Sequence, residues 1–199
     1  MTRGRAGRRA VFLALGAMTL IATTARAQSI QAGTLELTLA GGFGESLSRN
    51  DPEIKNVASF HLLPHLGIFV TDEIGGLRAL RGNLEILIEP TLTYLDGTST
   101  ATVAGVALLP RWVFAASPLV RPYVETGGGI VGGQVDLRQT DCDINFIFEA
   151  GAGVMIRVWE HIALTAGVRY HHLSNANRCH ENAGINSVIG IIGISYFLP

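Results

Sequence analysis

From residue 33 onward hydrophobic and polar residues alternate with a period of two, in eight segments of roughly 9–15 residues separated by turn-rich stretches. The pattern predicts strands near 33–44, 56–70, 83–95, 100–116, 121–134, 143–158, 161–173 and 184–198. In the third segment Leu84, Ile86, Ile88, Leu92 and Tyr94 share one face, and Glu85, Glu89, Thr91 and Thr93 the other. The sixth sets Ile144, Phe146, Phe148, Val154 and Ile156 against Asn145, Glu149 and Arg157. The seventh sets Ile162, Leu164, Ala166, Val168 and Tyr170 against Thr165, Gly167, Arg169 and His171. Successive side chains on a strand point to opposite faces, so this alternation places the two faces of one sheet in two different solvents. The eighth segment is less decisive: Val188, Ile192, Ile194 and Tyr196 share a parity, but Ile189, Ile191 and Phe197 occupy the other.

Two assignments satisfy the alternation. In a soluble barrel or sandwich the apolar face is the core; in an outer-membrane barrel it meets lipid and the polar face fills the lumen. The polar face carries Glu36, Glu85, Glu89, Arg111, Glu125, Glu149, Arg157 and Arg169, a mixture of both signs suited to an ion-paired interior. Aromatic residues (Phe43, Tyr94, Trp112, Phe114, Tyr123, Trp159, Tyr170, Tyr196, Phe197) fall toward segment ends, as interfacial girdles do. The expected fold is all-β: an eight-stranded antiparallel up-and-down transmembrane β-barrel, a single domain over 28–199. A soluble periplasmic binding barrel, with its charges outside, is the competing architecture. Composition agrees with the membrane assignment. The chain is 48% hydrophobic with mean hydropathy +0.33, yet past its N-terminus no run of 18 apolar residues exists, which excludes a bundle of spanning helices. Twenty-four glycines and a single lysine, Lys55, also argue against a helical chain.

Residues 1–27 read as a secretory signal peptide: Arg3, Arg5, Arg8 and Arg9 form the basic region, 10–22 the apolar region, and Ala25-Arg26-Ala27 the small-x-small cleavage site. Without them 172 residues remain, with 10 basic and 16 acidic side chains, and the formal charge moves from −1 to −6. That surface offers no footprint for nucleic acid. Export permits a disulfide between the only two cysteines, Cys142 and Cys179, with two free thiols as the alternative. Closing the 37-residue separation would contribute about 4 kcal/mol in the chain-entropy account. With both termini periplasmic, 45–55, 96–99, 135–142 and 174–183 become the outer loops, which brings both cysteines to the outer end. The 71–82 turn is long for a periplasmic one and has no explanation in the pattern.

Chemistry concentrates at the outer end of the seventh strand, in Arg169-Tyr170-His171-His172-Leu173-Ser174-Asn175-Ala176-Asn177, followed by Asn182-Ala183-Gly184-Ile185-Asn186. His172 and Ser174 are two apart on one strand and project from the face of Ile162, Leu164, Val168 and Tyr170, so they continue the lipid-facing stripe to headgroup depth. Asn186 opens the next strand and can return to the side of His172. A serine within reach of a histidine, itself oriented by a third polar group, is the arrangement that attacks an ester. The imidazole takes the hydroxyl proton and returns it to the leaving alkoxide. By spacing alone, an ordinary polar rim is the commoner reading of such a pair.

The run His172-x-Ser174-Asn175-Ala176, with Asn182-x-Gly184 eight residues after the serine, resembles the lipid A 3-O-deacylase (PagL) family of outer-membrane barrels. That resemblance implies a Ser-His-Glu esterase without metal or organic cofactor, acting on lipid A in the outer leaflet of the bacterial outer membrane by removing its 3-linked hydroxyacyl chain. Carried onto this chain, Ser174 is the nucleophile and His172 the base. Asn182 is the first oxyanion candidate and Asn175 the second. Two positions depart from the pattern: Asn186 stands where the family has its triad glutamate, and Asn177 where it has glycine. An asparagine carbonyl can orient a histidine but brings no charge to the imidazolium. Glu181, in the loop, is an alternative orienting group. The competing function is a non-catalytic barrel, adhesin-like or envelope-structural, and a homodimer is left open.

The other histidines suggest no metal. His61 and His65 share a parity but lie about 13 Å apart along a strand, His171 faces the lumen beside Arg169, and His180 has only Cys179 beside it. Gly127-Gly128-Gly129 lacks the strand-to-helix setting of a phosphate loop.

Overall fold

The computed structural model describes residues 30–47, 56–137 and 139–198. The expected signal peptide, the expected mature N-terminus at Gln28 and residues 48–55 of the expected 45–55 loop lie outside them. Eight strands follow in order: β1 (Leu35–Ser46), β2 (Ala58–Phe69), β3 (Gly82–Asp96), β4 (Thr100–Phe114), β5 (Val120–Gly132), β6 (Ile144–Arg157), β7 (Ile162–Ser174) and β8 (Ile185–Leu198). Each pairs antiparallel with its sequence neighbour, and β1 pairs with β8 to close the barrel, so no strand edge is left unpaired. Their 12–15 residues exceed the 9–11 or so needed to cross a bilayer at a tilt.

Parity sorts the side chains as the sequence requires. Outward positions are apolar and exposed, for example Leu39, Leu108, Phe148, Leu164 and Ile192, while the inward Glu36, Glu85, Glu89, Arg111, Glu125, Glu149 and Arg169 are buried. The ambiguous eighth strand is settled in favour of even-outward. Ile189 and Ile191 join Ala40 and Leu63 in an apolar cluster inside the barrel. Phe197 packs inside near the termini with Phe69, Val113, Tyr123 and Met155. A third apolar cluster, containing Leu95, Val103, Val131, Ile147, Leu173 and Ile185, plugs the opposite end.

The charged layer lies between the two end plugs. Arg169 bonds Glu89 (2.8 Å), Glu125 (2.8 Å) and Glu149 (3.1 Å), Arg111 bonds Glu125 (2.9 Å), and His65 pairs with Glu89 (2.6 Å). His61 meets Thr93 through Nδ1 (2.9 Å) and the His171 ring at 5.3 Å. Two expected girdle aromatics belong to this interior. Tyr123 lies under the Arg111 guanidinium, 4.5 Å from its ring centroid, and Phe197 is buried too. An aromatic ring at a strand end suits an apolar lumen plug as well as a headgroup belt, and on β5 and β8 parity, not residue type, decides. Phe43, Phe60 and Tyr94 do form an outer stack, with centroids 5.1 and 6.4 Å apart.

The long 71–82 turn is a compact flap at the end that carries the termini. It contains the short 3-10 turn Arg78–Leu80 and is closed by the Ile74↔Gly82 bridge and an Arg81–Glu73 ion pair. At the opposite rim Cys142 and Cys179 are joined, with Cα atoms 5.8 Å apart, tying the β5–β6 loop to the β7–β8 loop.

Candidate active site

The register of β7 and β8 assembles the rim constellation. His172 lies directly opposite Asn186 and Tyr170 opposite Val188, all with outward parity, so Tyr170 and Asn186 are diagonal neighbours on the lipid-facing wall. On the other flank His172 faces Phe148 and Ser174 faces Phe146. Two strands and one register therefore bring Ser174, His172 and Asn186 together without any contribution from a loop.

The bonds form a chain. Ser174 Oγ is 3.0 Å from His172 Nε2, and His172 Nδ1 is 2.7 Å from Asn186 Oδ1. An amide oxygen only accepts, so Nδ1 carries the hydrogen and Nε2 presents its lone pair to the serine hydroxyl. Tyr170 donates its phenol hydrogen to the same Asn186 oxygen at 2.5 Å. With two donors converging on it, the amide is held oxygen-first, which is the orientation that gives His172 the base-competent tautomer. Tyr170 thereby holds the Asn186 amide in place, a contact absent from the sequence reading, which assigned it to the lipid stripe and the aromatic girdle. The signal was its place two residues before His172 on the same face.

Glycine is required once here. Gly184 has φ +71°, and a Cβ on it would lie 3.0 Å from His172 Cε1, so its bare backbone seals one side of the imidazole. Ala176 and Asn177 have φ of 53° and 60°, a left-handed turn immediately after Ser174. The departure from glycine at Asn177 is thus conservative in backbone terms, because asparagine tolerates that region better than other non-glycine residues.

The two expected oxyanion donors have different surroundings. Asn175 is buried, and its amide donates to Glu181 O (2.6 Å) and Thr140 Oγ1 (3.2 Å) while its Oδ1 accepts from Arg178 N (3.2 Å). Both amide hydrogens hold the loop together, which leaves none for a substrate. Asn182 accepts from the Asn175 backbone N–H (2.8 Å) and donates one hydrogen to Asn177 Oδ1 (2.7 Å), and the second has no acceptor among the described residues. The orienting position at His172 Nδ1 is occupied by Asn186, while the Glu181 main chain is bonded to Asn175 and to Asp141 (3.1 Å).

A closed eight-stranded barrel with an apolar outer wall, a charged lumen and a hydroxyl–imidazole–amide chain on that wall defines the class: an outer-membrane β-barrel with a polar site facing lipid. The family model described as Lipid A 3-O-deacylase (PagL) matches residues 72–195, more than half of the chain, and the chain belongs to that family. Among solved structures, that of the outer membrane enzyme PagL is similar at TM-score 0.56 and 20% identity, covering 79% of this chain and 97% of that one. Neisserial surface protein A is similar at TM-score 0.57 and 14% identity, covering 82% and 98%. At these identities the likeness concerns the fold alone. No curated protein matches the sequence.

Proposed function

We propose that the protein is an esterase that releases an ester-linked 3-hydroxyacyl chain from lipid A, with Ser174 as nucleophile, His172 as general base and acid, and Asn186 as the orienting group. The observation that carries this reading is the unbroken chain Ser174 Oγ, His172 Nε2, His172 Nδ1, Asn186 Oδ1 at 3.0 and 2.7 Å on the lipid-facing wall. Ser174 Oγ attacks the ester carbonyl as His172 takes its proton. The tetrahedral oxyanion is met by the second hydrogen of the Asn182 amide. Collapse expels the sugar alkoxide, which takes the proton back from His172, and water then hydrolyses the acyl-serine by the same relay. Below Val188 and Gly190 on the same wall an open apolar groove of about 690 Å³, lined by residues including Leu39, Leu62, Leu164, Ala166 and Ile192, offers a bed for acyl chains. A substrate anchored in the leaflet thus reaches the site by lateral diffusion. The protein reaches the outer membrane by way of the 1–27 signal peptide.

The test is mass spectrometry of lipid A from cells making the protein. The expected result is a species lighter by one 3-hydroxyacyl chain, absent from cells carrying an empty vector. An unchanged lipid A profile, with the barrel folded in the outer membrane, would favour the envelope-structural alternative.

The neutral orienting group leaves the imidazolium without a counter-charge. Asn186→Asp keeps the shape and both donors while supplying one, and about a tenfold gain in kcat is expected. A fall in kcat would mean that amide geometry matters more than charge at this position.

A further inference from the structure

We infer that Arg178 is a phosphate-recognition residue: its guanidinium binds a phosphomonoester on the lipid whose acyl ester lies at Ser174. The inference rests on the esterase reading and deepens it by naming a second chemical group of the substrate. Arg178 lies on the turn after Ser174, and its guanidinium sits 6.0 Å from the centroid of the Phe146 ring. Phe146 is the β6 residue directly opposite Ser174 in register, on the same outward face. A positive charge is therefore held across the strand pair from the nucleophile, against the lipid-facing wall rather than over the lumen.

The turn fixes that placement. Arg178 N donates to Asn175 Oδ1 and Asn175 O, both at 3.2 Å, the buried Asn175 amide is pinned to Glu181 and Thr140, and the next residue, Cys179, is tied to Cys142. Among the described residues Arg178 is the only Arg or Lys at this rim, which otherwise carries Glu45, Asp96, Asp136, Asp141, Asp143 and Glu181. It takes part in none of the ion pairs formed among the described residues. An exposed arginine on an acidic rim, in no ion pair among the described residues and braced on a ring beside the nucleophile, is arranged to receive an anion from outside the chain. A guanidinium fork matches phosphate oxygens two at a time, which a lysine ammonium does not. An ester-bearing phosphorylated glycolipid would then be held at two points, with its carbonyl at Ser174 and its phosphate at Arg178.

The experiment measures binding to the folded barrel in detergent, in a Ser174→Ala background that prevents turnover, by native mass spectrometry. The probes are bisphosphorylated lipid A and the same lipid A after removal of both phosphates. The phosphorylated form is expected to bind about tenfold more tightly. Adding Arg178→Gln should bring the two forms within twofold of each other, and Arg178→Lys should retain part of the preference. Persistence of the full preference in Arg178→Gln would overturn the inference. So would an equal weakening of both forms, which would make Arg178 only a loop support. Millimolar inorganic phosphate should leave the preference in place, because the phosphate arrives attached to a lipid already seated on the wall. Its erasure would reassign the site to free phosphate. Acyl release from the two lipids by the protein with Ser174 intact reports on the esterase reading separately: its failure would remove the chemistry without altering the binding comparison.

Discussion

Replacing Ser174 with alanine is expected to lower the rate of acyl release from lipid A by roughly 10³-fold or more, with no change in the amount of folded barrel. Among the described residues the hydroxyl is the only group bonded to His172 Nε2, and the hydroxyl of Ser187, opposite His171 on β8, has inward parity and is buried in the lumen. Among the described residues no second hydroxyl is bonded to His172 on the outer wall to take over. Ser174 is half-buried at a strand end, so the loss of its oxygen should change stability by less than about 0.5 kcal/mol. His172→Ala should cost a similar factor, and the double variant should be no worse than either single, because residues that act as one relay lose their function together. Single-turnover release of the 3-hydroxyacyl chain in mixed micelles measures all three. A Ser174→Ala protein that keeps more than a tenth of the rate, or single losses that multiply in the double variant, would dissolve the relay.

The parts of this site visible in the sequence are those that strand geometry controls. His172 and Ser174 share a face because they are two apart, and nothing in the tertiary structure could alter that. Asn186 was placeable as well, because a strand that returns antiparallel after a loop must set some residue opposite His172. The loop between them was not legible. Asn182 and Asn175 are the first and second amide donors by sequence, and it is the network of Asn175 with Glu181, Thr140 and Arg178 that engages both Asn175 amide hydrogens, while one Asn182 hydrogen has no acceptor among the described residues. That network depends on the β5–β6 loop, which lies more than 30 positions away and is drawn in by the Cys142–Cys179 bond.

A similar limit governs the barrel wall. Alternation identifies the lumen face only where that face is polar. Near the middle of β3 and β7 it is, through Glu85, Glu89 and Arg169. On β8 the inward residues are Ile189 and Ile191, which pack with Ala40 and Leu63, so both faces read apolar and the parity is decided by pairing with β1 and β7. Tyr123 was misplaced for the converse reason. Its ring serves a buried cation, not a lipid headgroup.

The lumen network supplies the largest expected effect on stability. Arg169 is 1% exposed and meets three carboxylates, Glu89, Glu125 and Glu149, within 3.1 Å. Arg169→Met would keep most of the side chain's length and apolar stem but remove the charge. Among the described residues Glu149 would be left facing only the His171 ring at 3.9 Å, and Glu89 only His65 at 2.6 Å. Removing one partner from a buried ionic cluster costs about 3–5 kcal/mol, because the remaining charges stay desolvated without compensation. That is a large share of the roughly 5–15 kcal/mol that holds a typical domain folded. The midpoint of urea unfolding in detergent should therefore fall steeply, and the folded fraction after refolding should drop with it. Neutralising the stranded acids in the same chain, Arg169→Met with Glu89→Gln and Glu149→Gln, should recover more than half of the loss. Arg157→Met, at the half-buried inner rim where the guanidinium reaches the Glu160 carbonyl, should cost less than about 1 kcal/mol. If Arg169→Met unfolds at the wild-type midpoint, the charged layer is hydrated enough to do without its central cation. If the triple variant is no better than the single, the loss comes from packing around the guanidinium and not from unpaired carboxylates.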